Sequence, residues 1–256
     1  MLSVDKELLY QRLSRVVPEV RIYDTTGSTS TDAKEYAANA CGRDAVFIAL
    51  QQTAGRGQHG RSFVSDLGVG LYMSYLTHRA IPADRIAYLT AYAAVAVTDA
   101  IKEFTAAEAG IKWVNDVYIG GKKVAGILSE GAFSPSLDAL EYAIVGIGLN
   151  LYKRDFGDLS DIATDLESAT GVTVDFTQIA EYILRALTDM ELGEEERIAE
   201  AYAGRSIMQD KRIFVREGGR EYFAKALGIG RDLSLRVLTD AEEEIELSSA
   251  DVAIRM

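Results

Sequence analysis

Apolar residues recur along this chain at two spacings, and the spacings alone divide it into elements. Leu8, Leu9, Leu13 and Val16 fall on one helical face, which predicts a helix within residues 4–17, ahead of a short strand at 20–23. Residues 25–32, Thr-Thr-Gly-Ser-Thr-Ser-Thr-Asp, gather hydroxyls just before an apolar-periodic run through Tyr36 and Ala37. Such a cluster marks a helix start, and Thr29 with Asp32 reads as a capping box. Residues 45–50 form a short strand of the buried type, 71–76 alternate, and 86–104 carry a long alanine-rich helical pattern.

Two further strand-like runs, 111–119 and 123–128, flank Gly120-Gly121-Lys122, and a Gly-Gly pair in that position predicts a tight hairpin. Residues 143–151 are another apolar strand. From 175 to about 202 the pattern is helical, with Ile179, Ile183, Leu184 and Leu187 on one face and the acidic run 194–196 on a solvated one. After Gly204 the texture changes to five short strand candidates, at 212–215, 221–226, 233–238, 244–247 and 252–255. Short strands at such even spacing suggest a small barrel. The expected organisation is α+β, with a larger domain over 1–205 and a small β domain over 206–256.

Composition narrows the class. The 256 residues are 48% hydrophobic and 26% charged, with 27 basic against 39 acidic side chains and a net charge of −12. This is the profile of a globular protein and excludes a disordered tail or a coiled coil. The acidic balance opposes broad, non-specific nucleic-acid binding, which needs a dense basic surface. Cys41, the single cysteine, forms no internal disulfide, the first 15 residues are too charged for a secretory leader, and no apolar run approaches the ~20 residues needed to span a bilayer. A cytoplasmic home without membrane association is expected. His59 and His78 with that one thiol cannot assemble the familiar zinc sites, and His78 reads as an ordinary packed or surface histidine.

Three segments carry candidate chemistry. In the first, residues 52–61 (Gln-Thr-Ala-Gly-Arg-Gly-Gln-His-Gly-Arg), Gly55, Gly57 and Gly60 permit close backbone approach to an anion, while Arg56 and Arg61 add forked, permanently charged donors. The spacing matches neither the Walker loop nor the Rossmann fingerprint, and an exposed turn would have similar composition. In the second, Lys112-Trp113-Val114-Asn115-Asp116 precedes the hairpin and Lys122-Lys123-Val124-Ala125-Gly126 follows it. A lysine fixed after a Gly-Gly turn can neutralise a carboxylate and a phosphate together, and Asp116 can bind magnesium or orient a cation. The plainer reading is a charged hairpin tip with Trp113 in the core. Residues 51–126 hold eight basic and six acidic side chains, a local positive excess inside an acidic chain that invites a small anion. In the third, Gly146 and Gly148 alternate on a strand that ends at Asn150, which marks close approach by a ligand or by packing.

In this order the segments resemble the biotin protein ligases. The likeness is carried by Ser28-Thr29, residues 52–61, Lys112 to Asp116, residues 123–128, residues 146–150 and Ala163-Thr164-Asp165-Leu166. It covers about residues 20–205, and the remainder fits the small SH3-like barrel that follows the catalytic domain in that family. The resemblance implies a catalytic domain like that of class II aminoacyl-tRNA synthetases, with a mixed sheet. It also implies ATP-dependent attachment of biotin, through biotinyl-5′-AMP, to a lysine of a biotin carboxyl carrier protein, with Mg2+ assisting.

By the same resemblance, Lys123 bridges the biotin carboxylate and the α-phosphate, with Arg56 and Asp116 completing the catalytic group. Ser28, Thr29, Ser30 and Gln52 face the biotin head, beside Gly55, Arg56, Lys123 and Gly126. The adenylate falls to Arg56, Gln58, Arg61, Trp113, Asn115, Lys123 and Asn150. Three positions depart from the family pattern: Gln58 where arginine is common, Ser30 where asparagine is common, and Val114 where proline is frequent. A neutral Gln58 holds the adenylate less firmly on this reading.

Only 20 residues precede Arg21, too few for a three-helix DNA reader when a mean helix takes ~11–12 residues, so a ligase without a repressor module is expected. A homodimer is left open. The competing readings are a lipoate-type ligase on the same fold and a non-catalytic biotin or nucleotide sensor. The loop at 55–65 is expected to order only with ligand, having little of its own to hold it.

Overall fold

The fold, obtained as a computed structural model, is described for residues 4–39, 42–136, 138–191, 193–248 and 250–254, with only the backbone considered at His59 and Asp251. Cys41, and with it the disulfide expectation, lies outside these residues, as does Arg255 at the end of the last predicted strand.

The chain opens with α1 (Lys6–Leu13), capped by the Asp5 carboxylate on Leu8 N–H, then β1 (Glu19–Tyr23) and α2 (Thr29–Asn39). The predicted capping box does not form. Thr29 is already helical, the Ser28 carbonyl accepts from the N–H groups of Thr31 and Asp32, and the Asp32 carboxylate accepts from Thr26 Oγ1 at 2.7 Å. The Thr29 side chain is occupied elsewhere, as described below.

β2 (Ala45–Ala49), β3 (Gly70–Thr77) and α3 (Ile86–Thr105) follow. The alternation read at 71–76 does not expose a polar face: all of β3 is buried, because helices and a loop cover both sides of the sheet. The single strand expected at 111–119 is two, β4 (Gly110–Lys112) and β5 (Asp116–Ile119), with the chain turning between them. The Gly120-Gly121 hairpin then leads into β6 (Lys122–Ser134), which pairs with β7 (Ala139–Asn150). Gly120 and Gly121 have φ of +57° and +81°, the conformation that such a turn demands.

After α4 (Leu166–Thr170), capped by Asp165, the long helix expected over 175–202 is broken into α5 (Phe176–Thr188) and α6 (Glu195–Gly204). The break contains Gly193 at φ +104°, outside helical space. The chain ends in β8 (Arg212–Glu217), β9 (Arg220–Ile229), β10 (Leu235–Thr239), β11 (Glu244–Leu247) and β12 (Asp251–Ile254), which form a five-stranded antiparallel sheet close to the predicted strands.

The larger sheet has seven strands in the order β1-β2-β3-β7-β6-β5-β4, parallel only between β1 and β2. Strand alternation sorts its side chains. Val46 and Ile48 join the main core under α3, α5 and α6, whereas Ala45, Phe47, Leu76 and Ile144 form a small second core with Ala33 of α2 on the opposite face. α2 covers only part of that opposite face, and the uncovered part holds the candidate site.

Candidate functional site

Register places three cross-strand rows on the α2 side of the sheet. Leu76, Ile144 and Glu130 make one row, Ser74, Gly146 and Leu128 the next, and Tyr72, Gly148 and Gly126 the third. Glycines thus recur where β7 and β6 would otherwise raise side chains, and a trough results. A Cβ on Gly146 would stand 2.8 Å from Ser30 Oγ, and one on Gly148 would meet the Phe63 ring at 2.6 Å. Packing, one of the two causes of strand glycine anticipated from the sequence, therefore operates at both positions.

One end of the trough is a network of neutral hydroxyls and an amide. Thr29 donates to Gln52 Oε1 from its backbone N–H (2.9 Å) and its hydroxyl (3.2 Å), and Gln52 Nε2 donates to Ser65 Oγ at 2.9 Å. Ser74 Oγ lies 2.8 Å from Thr29 Oγ1 and 3.0 Å from Ser30 Oγ. Ser28, Thr29, Ser30 and Ser74 are all buried, so these hydrogen bonds offset a desolvation cost that would otherwise be large. Ser74 was not singled out from the sequence; only its polarity in an apolar strand signals it.

The opposite end is charged. Lys123 Nζ is 2.6 Å from Asp116 Oδ1 across the β5–β6 hairpin. By simple alternation Lys123 and Gly126 would face opposite sides of β6. A β-bulge intervenes: Val117 pairs with Ala125 but Tyr118 with Lys123, and both Val124 and Ala125 enter the core. The bulge turns Lys123 to the trough side, where its Nζ would be 3.2 Å from a Cβ on Gly126. The 162–164 segment runs beside it, with Lys123 N–H donating to Ile162 O and Thr164 N–H to Lys123 O, both at 2.9 Å.

Residues 52–65 roof the trough. The expectation that this loop has little to hold it fails, because its backbone closes on itself: Phe63 N–H donates to Gly55 O (2.9 Å), Gly57 N–H to Arg61 O (2.7 Å) and Gln52 N–H to Ser65 O (3.0 Å). Gly55 lies off the trough wall; its part is to admit the Phe63 carbonyl, which a Cβ would meet at 2.4 Å. From this hairpin the Phe63 ring descends onto Gly148 and Gly126, with Lys123 Nζ 5.9 Å from its centroid. Nothing in the loop's Gly/Arg pattern had marked Phe63.

Arg56 forms a bidentate pair with Glu130, two bonds of 2.9 Å, and Glu130 also accepts from Lys34 of α2 at 2.6 Å. Arg56, Gln58, Arg61, Lys112, Trp113, Asn115, Asp116 and Lys123 all line the cleft. Among the described lining residues four are cationic and one, Asp116, is acidic, so the local field favours an anion. Tyr118, behind Asp116, is pushed up to about 12, first by burial and then by the Asp116 charge, and stays a neutral phenol. Asn150, expected at an adenine or ribose contact, is off the cleft wall: it is buried and its amide donates to Thr164 O at 3.1 Å.

Among the described residues no three His, Cys, Asp or Glu side chains converge as a metal centre. Asp116, the residue expected to bind magnesium, is a single carboxylate already engaged by Lys123.

A hydroxyl-floored trough with converging cations, cut into the open face of a mixed sheet, defines a site whose shape and charge suit a small, partly anionic ligand. The sequence profile of the Biotin/lipoate A/B protein ligase family matches residues 24–150. Over 184 residues the chain is 37% identical to the bifunctional ligase/repressor BirA of Bacillus subtilis (strain 168), an overlap of 70% of this chain and 56% of that protein. Over 217 residues it is 32% identical to the biotin–[acetyl-CoA-carboxylase] ligase of Mycobacterium tuberculosis (strain ATCC 25618 / H37Rv), 81% of this chain and 77% of that one. The biotin protein ligase from Aquifex aeolicus, solved in complex with biotin and ATP, shares the fold with a TM-score of 0.75 at 24% identity, covering 93% of this chain and 98% of that one.

The chain belongs to the biotin/lipoate A/B protein ligase family. Its α+β architecture is the biotin ligase catalytic fold followed by a small antiparallel β unit. It spans about half the length of the BirA relatives it matches. No helix among the described residues is long and apolar enough to cross a membrane.

Proposed function

We propose that this protein attaches biotin to a lysine of a biotin carboxyl carrier protein in two steps. The biotin carboxylate attacks the α-phosphorus of ATP, releasing pyrophosphate and forming biotinyl-5′-adenylate; the carrier lysine amine then attacks the acyl carbon and expels AMP. The single observation that carries this reading is the polarity of the trough, with neutral hydrogen-bonding groups at one end and Lys123 aimed by Asp116 at the other. A cyclic urea with a carboxylate tail has the same polarity.

On this reading Ser28, Thr29, Ser30 and Gln52 take the urea, with Ser74 added beneath them. Lys123 lies between the two anions and lowers their repulsion, and in-line placement supplies much of the remaining acceleration. Arg56 and Arg61 hold phosphate oxygens, which requires Arg56 to exchange at least part of its pairing with Glu130. Trp113, Asn115 and Gln58 border the nucleotide. Magnesium fits as a companion of the ATP phosphates, since such ions take one or two carboxylates and keep several waters, and Asp116 is the group that would hold it. Bound there it would offset phosphate charge. Residues 1–205 are the catalytic domain and 206–256 the small β domain.

The test is ATP–pyrophosphate exchange with the purified protein, followed by mass measurement of a carrier domain incubated with biotin, ATP and magnesium. Biotin-dependent exchange and a carrier heavier by one biotinyl group are expected. Exchange that depends on lipoate instead, or none with either acid, would overturn the proposal.

A further inference from the structure

Four consecutive residues, 113–116, are fastened to three different parts of the molecule. Asp116 holds Lys123, and Asn115 is bonded twice to β6, with its Nδ2 donating to Ile127 O (2.7 Å) and Ile127 N–H donating to its carbonyl (2.9 Å). The other two fastenings come from outside the cleft. Trp113 Nε1 donates to Leu233 O at 2.9 Å, and the Tyr202 hydroxyl donates to Val114 O at 2.8 Å.

Both outside anchors are built into their surroundings. Tyr202, on α6, is 1% exposed, and its phenol is driven upward by burial first and by the Asp116 charge second, so it remains a donor at any physiological pH. Leu233 lies in the turn before β10 at φ +67°, a conformation that bulky L residues rarely adopt and that persists only where the surroundings over-determine it. Those surroundings are visible: Leu233 N–H donates to Gly230 O (3.0 Å), and Asp232 Oδ1 accepts from both the Ser234 hydroxyl and its N–H (2.7 and 3.1 Å). The turn delivers one carbonyl to the indole.

We propose that Tyr202 and the Leu233 carbonyl are positioning groups for adenylate formation, fixing the 113–116 turn so that Asp116 can aim Lys123 at the reacting oxygens. The inference rests on the adenylation reading and extends it to residues outside the cleft. It also gives the C-terminal β unit a part in the first half-reaction. The mechanical reason is the shortness of β4 and β5, three and four residues, which alone hold the turn loosely. Misplacement by about 1 Å at a reacting group costs up to roughly a hundredfold in rate.

The test is Tyr202→Phe, which deletes one oxygen and keeps the ring. In biotin-dependent ATP–pyrophosphate exchange we expect kcat per folded molecule to fall about tenfold, with the KM for biotin within about twofold of wild type. Trp113 is the only tryptophan in the chain, so its fluorescence reports on the turn without reference to activity. In the variant its emission should shift to the red and its quenching by acrylamide should rise.

Wild-type kcat with only a lowered Tm would mean a merely structural hydroxyl and overturn the inference. Unchanged fluorescence, or an equal rise in the KM for biotin and for ATP, would do the same. If the wild-type protein itself shows no exchange, the adenylation reading fails and this inference falls with it.

Discussion

Lys123 Nζ lies 2.6 Å from Asp116 Oδ1, and the pair exists because a one-residue bulge turns Lys123 out of step with its strand. Lys123→Met removes the cation and keeps much of the stem's packing. Biotin-dependent exchange should drop by about a hundredfold or more, the scale of losing one preorganised charge donor at a reacting oxygen, with the thermal transition nearly unchanged. Exchange within a few-fold of wild type would show that the ammonium is not at the reaction centre.

Gln58 lines the cleft with a neutral amide. Gln58→Arg adds a charge-assisted donor near the adenylate and should slow dissociation of biotinyl-5′-AMP by about tenfold, equivalent to ~1.4 kcal/mol. Measured release of the intermediate that is unchanged or faster in the variant would count against this.

Gly148→Ala puts a methyl 2.6 Å from the Phe63 ring. The ring must lift, and the loop roofing the trough goes with it. Limited proteolysis should then cut within 55–65 several times faster than in wild type, and a cleavage pattern identical to wild type would mean that the ring yields without the loop.

Ser74→Ala strands the buried Ser30 hydroxyl and leaves that of Thr29, also buried, with Gln52 Oε1 alone. Removing one partner from such a network costs about 1–2 kcal/mol, which denaturant titration would read as a lower midpoint. The KM for biotin should rise while that for ATP stays put; the reverse pattern would place the head group elsewhere.

Glu181 of α5 accepts from Arg12 of α1 (2.8 Å) and from Arg185 (2.8 and 3.0 Å). Burial alone would raise its pKa, yet the hydrogen bonds from Arg185 and Arg12 hold it below the ordinary glutamate value. With the folded pKa below the unfolded one, the group contributes its stability above the ordinary range, near ~4.3, and loses it as pH falls through the depressed value. Glu181→Gln should therefore destabilise by about 1 kcal/mol or less at pH 7, given partial screening, and the gap should close in acid. A gap independent of pH would remove the ion pairs from the account.

The sequence carried the order of elements well, because long apolar patterns such as those of α3 and β7 are strongly periodic. The hairpin at Gly120-Gly121 was equally plain. What escaped was local and geometric. The bulge at Val124 leaves no mark in composition, so the direction of Lys123 rested on family likeness. Phe63 and Ser74 belong to the site only through register and loop closure, which no spacing along the chain records. Asn150 sits on the right strand, but its amide is engaged by Thr164, a partner 14 residues away. The capping box failed because the Thr29 hydroxyl is engaged by Gln52 and Ser74, residues far off in sequence and adjacent in space.

The trough crosses its strands, from Ser74 on β3 over Gly146 and Gly148 on β7 to Gly126 on β6. Its two ends are therefore separated by a pair of interstrand gaps, each about 4.8 Å, and by a step of two residues along the strands. That interval is a property of the peptide backbone and hardly changes when neighbouring side chains do. On the proposed function the sheet thus carries a gauge of molecular length, and an acid whose aliphatic tail is one carbon short is expected to bring its carboxylate less close to Lys123.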